Sequence, residues 1–313
     1  MIQNSQCRVV AFRHCDTRPM IFSMERLHGT QKGTIRMHFT KWHGCGNDYV
    51  FVNGFEENFD DVYGKIVAIS DRHFGVGSDG VIFLLPSDKA DIRMRMFNND
   101  ASEGEMCGNG IRCLARWAYE LGLVKKKRFS VETGAGILYP EILEDGNVRV
   151  DMGRPHLLAD EIPVTGYGKG PVIAQPLTNE ANGKTYTVTC VSMGNPHCVI
   201  FVDDIKDVDL TGEGPHLEAD AHFPKKTNTE FAEQLGEHHF RMRVWERGTG
   251  ITMACGTGTC ATVVAAILNG RTKDYADVDL DGGTLHIEWD GNPESHVFMT
   301  GPAVKVFEGD YFE

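Results

Sequence analysis

Polar and apolar positions alternate over residues 38–42 and lead into the glycine turn Gly44-Cys45-Gly46. An apolar stretch at 49–52 follows, so two strands are expected here. After Asp60 the period changes. Val62, Ile66 and Ile69 recur on one face, which predicts a helix from Asp60 to about Asp71. A glycine-rich turn at 75–80 precedes strands at 81–85 and 91–97, then a polar loop ending at Cys107. The helix after that loop stops near Gly122, a suitable C′ glycine. Strands at 128–132, 137–143 and 147–152 follow, the last two joined by Asp145-Gly146. The plan then restarts. Strands are expected at 185–191 and 198–202, and a polar stretch with Pro215 and Pro224 takes the first helix's place. A strand at 240–245, a second polar loop, a helix at 257–268 and strands at 276–280, 285–289 and 296–300 complete it. Residues 303–312 make one strand more than the repeat needs, expected to return to the first domain.

The restart is a repeat in register. The segment 93–118, RMRMFNNDASEGEMCGNGIRCLARWA, recurs 148 residues later as RMRVWERGTGITMACGTGTCATVVAA. Arg93 falls on Arg241, Arg95 on Arg243, Cys107 on Cys255, Gly108 on Gly256 and Gly110 on Gly258. At the same shift Gly46-Asn47 falls on Gly194-Asn195, each ahead of an apolar strand. The expected fold class is α+β: two pseudo-symmetric domains, each a curved, mostly antiparallel sheet wrapped around a central helix, with the active site between them. The first domain covers 37–153 plus the returning strand 303–313, and the second covers 154–302, with Gly153-Arg154-Pro155 at the boundary. Residues 1–36 carry six Arg/Lys and two acids without clear periodicity and stand outside this plan. A transit peptide fits them, and so does an untranslated stretch ahead of a start at Met24 or Met37.

A chain of 313 residues with 41% hydrophobic content can build a core in each half. The longest apolar helical run, 263–268, is too short to span a bilayer, so no membrane partner is expected. A net charge of −13 argues against a nucleic-acid partner, which requires a basic surface. Nine cysteines at irregular spacings, without a CxxC pair, argue against a secreted disulfide framework and for the reducing cytoplasm.

The chemistry concentrates at Cys107 and Cys255. A helix N-terminus leaves N–H groups unpaired and carries partial positive charge, which stabilises a thiolate and lowers its pKa. The glycines that follow bare the amides to an anion. Two such thiols on facing domains suit removal of a proton from one side of a carbon and its return on the other, as in racemisation. The helix amides would stabilise the charge that develops. Buried, inert cap cysteines are the alternative reading of either residue alone.

From residue 37 to the C-terminus the chain resembles the diaminopimelate epimerases, amino-acid epimerases that work without pyridoxal phosphate. The resemblance lies in His43-Gly44-Cys45-Gly46-Asn47-Asp48-Tyr49, in the run from Asp71 through Arg72, His73 and Phe74 to Asp79-Gly80, and in Phe97-Asn98-Asn99-Asp100 running on to Cys107-Gly108-Asn109-Gly110. It continues in Gly194-Asn195-Pro196-His197, Thr227-Asn228-Thr229-Glu230-Phe231, Glu246-Arg247-Gly248 and Ala254-Cys255-Gly256-Thr257-Gly258. The resemblance implies two-base catalysis by Cys107 and Cys255, with Cys255 as acceptor and Cys107 as donor, and His197 and Glu246 in support. It implies substrate binding by Asn47, Asn98, Asn195, Asn228, Glu246 and Arg247, and by the loop residues Gly108, Asn109, Gly256 and Thr257. It implies no cofactor, no metal and a homodimer. The residue chemistry agrees: Arg247 can pair a carboxylate, Glu246 can accept from an ammonium, and asparagines serve either. Cys45, Asn99 and Ala101 depart from the family pattern, and Gly80 stands where some members carry a substrate-contacting glutamine.

Two rival readings remain. One is a proline- or histidine-type racemase on the same fold. The other is a metal or redox protein using Cys107, Cys113, Cys255 and Cys260, whose spacings suit zinc poorly.

Overall fold

A computed structural model describes residues 7–9, 36–179 and 182–312. The rest of the N-terminal extension lies outside the described residues. Cys7–Val9 forms a short strand against the C-terminal strand Val304–Phe312, at the edge of the first sheet.

The first sheet runs from that edge through Val304–Phe312, Arg36–Gly44, Asn47–Asn53, Gly80–Leu85 and Ile92–Asn98 to Val131–Thr133 and Gly136–Leu138. The second runs from Gln175–Thr178 through Thr185–Ser192, Pro196–Val202, Asn228–Gly236 and His239–Glu246. It continues through Tyr275–Leu280, Gly283–Glu288 and Phe298–Gly301 to Val148–Asp151 and Glu141–Ile142. The molecule is therefore α+β with two pseudo-symmetric domains. The sheets are mixed. Asn47–Asn53 and Gly80–Leu85 pair in parallel, and so do their repeat counterparts Pro196–Val202 and Asn228–Gly236.

The two sheets exchange partners at their junction. Val148–Asp151 hydrogen-bonds to Phe298–Gly301 in the second sheet, while Val148 and Val150 pack into the core of the first domain. Val150 opposes Met299, and Asp151 opposes Phe298. Phe298 and Met299 lie 148 residues beyond Val150 and Asp151, so a local two-fold axis passes through these four residues.

Alternation puts one face of each strand on a central helix. In the first domain Tyr49, Phe51, Ile82 and Leu84 face helix Gly108–Glu120. Val50, Val52, Val81 and Phe83 face the other way. Helix Gly256–Leu268 is apolar on almost every side, as a helix enclosed by a sheet must be. The outer faces carry short helices. The single helix expected from Asp60 is two, Phe59–Tyr63 and Ile66–Ser70, broken at Gly64 and Lys65, where a poor helix former removes any incentive to continue. The first of the two is capped by Asn58, whose side chain accepts from the Asp60 amide. The loose stretch around Pro215 folds as helix Leu210–Glu218, capped by Asp209.

Candidate functional site

The two cysteines take the same pose. Cys107 precedes its helix with extended backbone (φ −135°, ψ 120°), and Cys255 does likewise (φ −117°, ψ 109°). The Gly110 amide donates to Cys107 Sγ at 3.4 Å, and the Gly258 amide donates to Cys255 Sγ at 3.4 Å. A thiol thus occupies the place of an N-cap oxygen and meets the positive end of the helix. The two helix mouths converge. A Cβ on Gly108 would lie 2.9 Å from Met299 Cε, and one on Gly256 would lie 3.2 Å from Met299 Sδ. One thioether therefore touches both glycine loops.

Around Cys107 the polar groups are linked in a chain. Cys107 Sγ donates to Asn47 Oδ1 at 3.3 Å, which also receives the Asn109 amide at 3.3 Å. Asn47 Nδ2 donates to Asp79 at 2.7 Å, and Arg72 pairs with Asp79 and Asp48. The Tyr49 hydroxyl lies beside Cys107 and Asn47. Arg112, wholly buried in the helix, donates to Asn109 Oδ1 at 2.8 Å and to the carbonyls of Gly108 and Pro302 at 3.2 Å each.

Around Cys255 the neighbours are different. Its thiol lies 3.5 Å from Thr257 Oγ1 and faces the Glu246 carboxylate, which accepts from Thr252. His197 is wholly buried, with Nδ1 2.7 Å from Glu230 and Nε2 3.2 Å from Asn195. Asn228 donates to the Pro196 carbonyl at 2.8 Å and accepts from the Arg247 amide at 2.9 Å, tying two loops together. The Arg247 side chain is exposed and donates to the Lys225 carbonyl. Asn98 turns into its own loop, donating to Ser102 at 2.9 Å. Cys45 is buried against the second domain, its carbonyl oxygen where a Cβ on Gly282 would fall.

Burial reverses one expectation from the sequence. The Cys107 thiol is pushed above its ordinary value by desolvation, against the pull of the Gly110 amide and the Tyr49 hydroxyl. Cys255 is pushed well above it by desolvation, with the Glu246 and Glu230 carboxylates adding to the effect. The helix mouths do lower both, but removal from water outweighs them. Desolvation also raises the Glu246 carboxyl.

Sequence reading assigned no role to Tyr49, Arg112 or Glu230. One signal was available: the 148-residue shift lays Tyr49 on His197. The other signal, a cation at Arg112 within an apolar helical run, is shared with Arg116 and singles out neither. Cys113 and Cys260 are buried within the two central helices, among core side chains. An open concavity of about 720 Å³ around Arg149, Tyr275, His286 and Phe298 is lined by none of Cys107, Cys255, His197 and Glu246.

The same architecture occurs in a probable proline racemase from Agrobacterium radiobacter K84, with a TM-score of 0.61 at 14% identity, over 87% of this chain and 92% of that one. It also occurs in a phenazine biosynthesis protein of the PhzF family from Bacillus anthracis, with a TM-score of 0.60 at 19% identity, over 88% and 98% of the two chains. Sequence similarity is far closer elsewhere. The chain is 54% identical over 282 residues to a diaminopimelate epimerase of Pelotomaculum thermopropionicum, covering 88% of this chain and 99% of that protein. It is 54% identical over 285 residues to one of Agathobacter rectalis, with the same coverage. The family model for diaminopimelate epimerase matches residues 39–158 and 189–306, one stretch around each glycine-flanked cysteine. With both helix mouths inside the matched stretches, the chain belongs to the diaminopimelate epimerase family.

Proposed function

We propose that this protein interconverts LL- and meso-2,6-diaminopimelate by moving the proton at one α-carbon, an isomerase step in lysine and peptidoglycan precursor biosynthesis. The observation that carries this reading is the pair of helix-mouth thiols in matching poses whose glycine loops share Met299. One sulfur, as thiolate, takes the α-proton from one face. The other, as thiol, gives its own proton to the opposite face. The C–H bond that breaks is replaced by one of inverted configuration, and the two sulfurs exchange protonation states. The carbanion between these events delocalises into the α-carboxylate, where the amides at Gly108-Asn109 and Gly256-Thr257 would meet the added charge.

Both thiols are held up by burial, so the ionised form must be stabilised by what arrives. A substrate ammonium beside a thiolate supplies opposite charge and lowers its pKa. Arg247, exposed and without a carboxylate partner among the described ion pairs, can turn to a carboxylate at the far end of a diamino diacid. Asn47, Asn98, Asn195, Asn228 and Glu246 supply acceptors and donors for the remaining polar groups. His197 supports the Cys255 side. A proline-type racemase shares the architecture, but a substrate without a second polar end would leave Glu246 and Arg247 unused. The homodimer rests on the family resemblance and the cytoplasmic setting on the irregularly spaced cysteines, and sedimentation of the purified protein tests the former.

The deciding experiment is α-hydrogen exchange in deuterated water with a panel of amino acids. Exchange into diaminopimelate, and not into proline, is expected. Exchange into proline alone would replace this reading with the racemase one.

A further inference from the structure

The two domains differ chemically behind their cysteines. Phe51 pairs with Ile82 in the first sheet, and Val199 pairs with Glu230 at the equivalent place in the second. Ile82 and Glu230 are 148 residues apart, like the two cysteines. Each lies under the second glycine of its helix. A Cβ on Gly110 would fall 2.6 Å from Ile82 Cδ1, and one on Gly258 would fall 2.6 Å from Glu230 Oε1. Tyr49 and His197 are related by the same shift. What is tyrosine over isoleucine in one half is histidine over glutamate in the other.

Glu230 is wholly buried. Its Oε1 meets His197 Nδ1 at 2.7 Å, and its Oε2 has no hydrogen-bond partner among the described residues. A half-satisfied carboxylate in a dry core costs stability. Ile82 shows that an apolar side chain fills this position in the same architecture. Packing therefore does not call for glutamate, and an unsatisfied buried polar group asks for another reason. The groups that feel its charge are His197, Cys198, Glu246 on the neighbouring side of the site, and Cys255 at the helix mouth.

We propose that Glu230 is a positioning residue for the epimerisation: it accepts the Nδ1 proton of His197, fixes that ring with Nε2 toward Asn195, and sets the charge that Cys255 faces. The proposal rests on the function given above. A neutral side chain at 230 frees the imidazole to change tautomer and removes a negative charge from beside the thiol.

The test compares wild type, Glu230→Gln and Glu230→Ile for α-deuterium exchange with diaminopimelate across pH. The expected result is folded variants, with Glu230→Ile resisting denaturant at least as well as wild type. In them kcat falls about tenfold or more while KM stays within about twofold, and Glu230→Gln retains more activity than Glu230→Ile. The alkaline pKa in the kcat/KM profile should move down, because one of the two carboxylate charges that add to the effect of burial on the Cys255 thiol is gone. A folded Glu230→Ile with unchanged kcat and pH profile overturns the proposal. Failure of both variants to fold also overturns it, because the position would then require its carboxylate for structure. A wild type that exchanges proline but not diaminopimelate is a separate failure, that of the underlying function.

Discussion

Gly108 and Gly256, 148 residues apart in the chain, both abut the side chain of Met299. Each glycine opens a helix and bares amides beside a thiol, so the space above Met299 is where an anion would meet both helix mouths. A methyl group at either position would narrow it. In Gly256→Ala the new Cβ lies 3.2 Å from the flexible Met299 Sδ, which can shift. The cost in stability should be at the low end of the about 1–3 kcal/mol typical of overpacking. KM for diaminopimelate should rise roughly tenfold, equivalent to about 1.4 kcal/mol of lost binding. Steady-state kinetics and a denaturant titration of one preparation check both parts.

Cys107→Ala and Cys255→Ala should each abolish epimerisation. Each removes a cap from a helix, at about 0.5–2 kcal/mol, which leaves the fold in place. Circular dichroism and the LL-to-meso ratio after long incubation give the two readouts. Full turnover by either variant would end the two-base scheme.

Thiol burial predicts the direction of pH dependence. Cys107 and Cys255 lie above the ordinary thiol value, and Cys113 and Cys260 are pushed up to about 12. Below about pH 8.5 these thiols are protonated whether folded or unfolded, so their contribution to stability is fully present. As the pH rises further the unfolded chain releases its thiol protons first, and stability falls until the folded thiols titrate. Denaturant midpoints should therefore drop through the alkaline range, and less steeply in Cys255→Ala. Alkylation by iodoacetamide should be slow at neutral pH at both cysteines and accelerate above it.

Arg112 tests how a buried cation serves the site. It donates to Asn109 and to two carbonyls, and its charge lowers the Cys107 thiol. Arg112→Met keeps much of the volume but leaves those acceptors unpaired, at about 1–3 kcal/mol for each one still buried. Cys107 should then alkylate at higher pH than in wild type, while Cys255 changes less.

Tyr49→Phe removes only the hydroxyl beside Cys107 and Asn47. Stability should change by about 1 kcal/mol, the net value of one hydrogen bond. The thiol loses a donor that favours its ionised form, so the pH for half-maximal alkylation of Cys107 should rise. An unchanged Cys107 profile would reduce Tyr49 to packing.

The repeat was legible in the chain because it is written in local chemistry: glycines, a cysteine and an alternating strand at one fixed shift. That shift alone defined two like domains, paired Cys107 with Cys255, and aligned Asn47 with Asn195. Local patterns also marked the central helices, since an all-apolar run such as 263–268 has few places to go but inside. Tertiary structure decided the rest. The helix around Pro215 depends on packing over a sheet face. Met299 joins the glycine loops only because Val148–Asp151 crosses to the second sheet beside Phe298–Gly301. Above all, the sequence placed each thiol at a positive helix end, whereas the fold removed it from water. Desolvation is a property of the assembled surroundings and not of the residue or its neighbours in the chain, so the sign of the thiol shifts could be settled only in three dimensions.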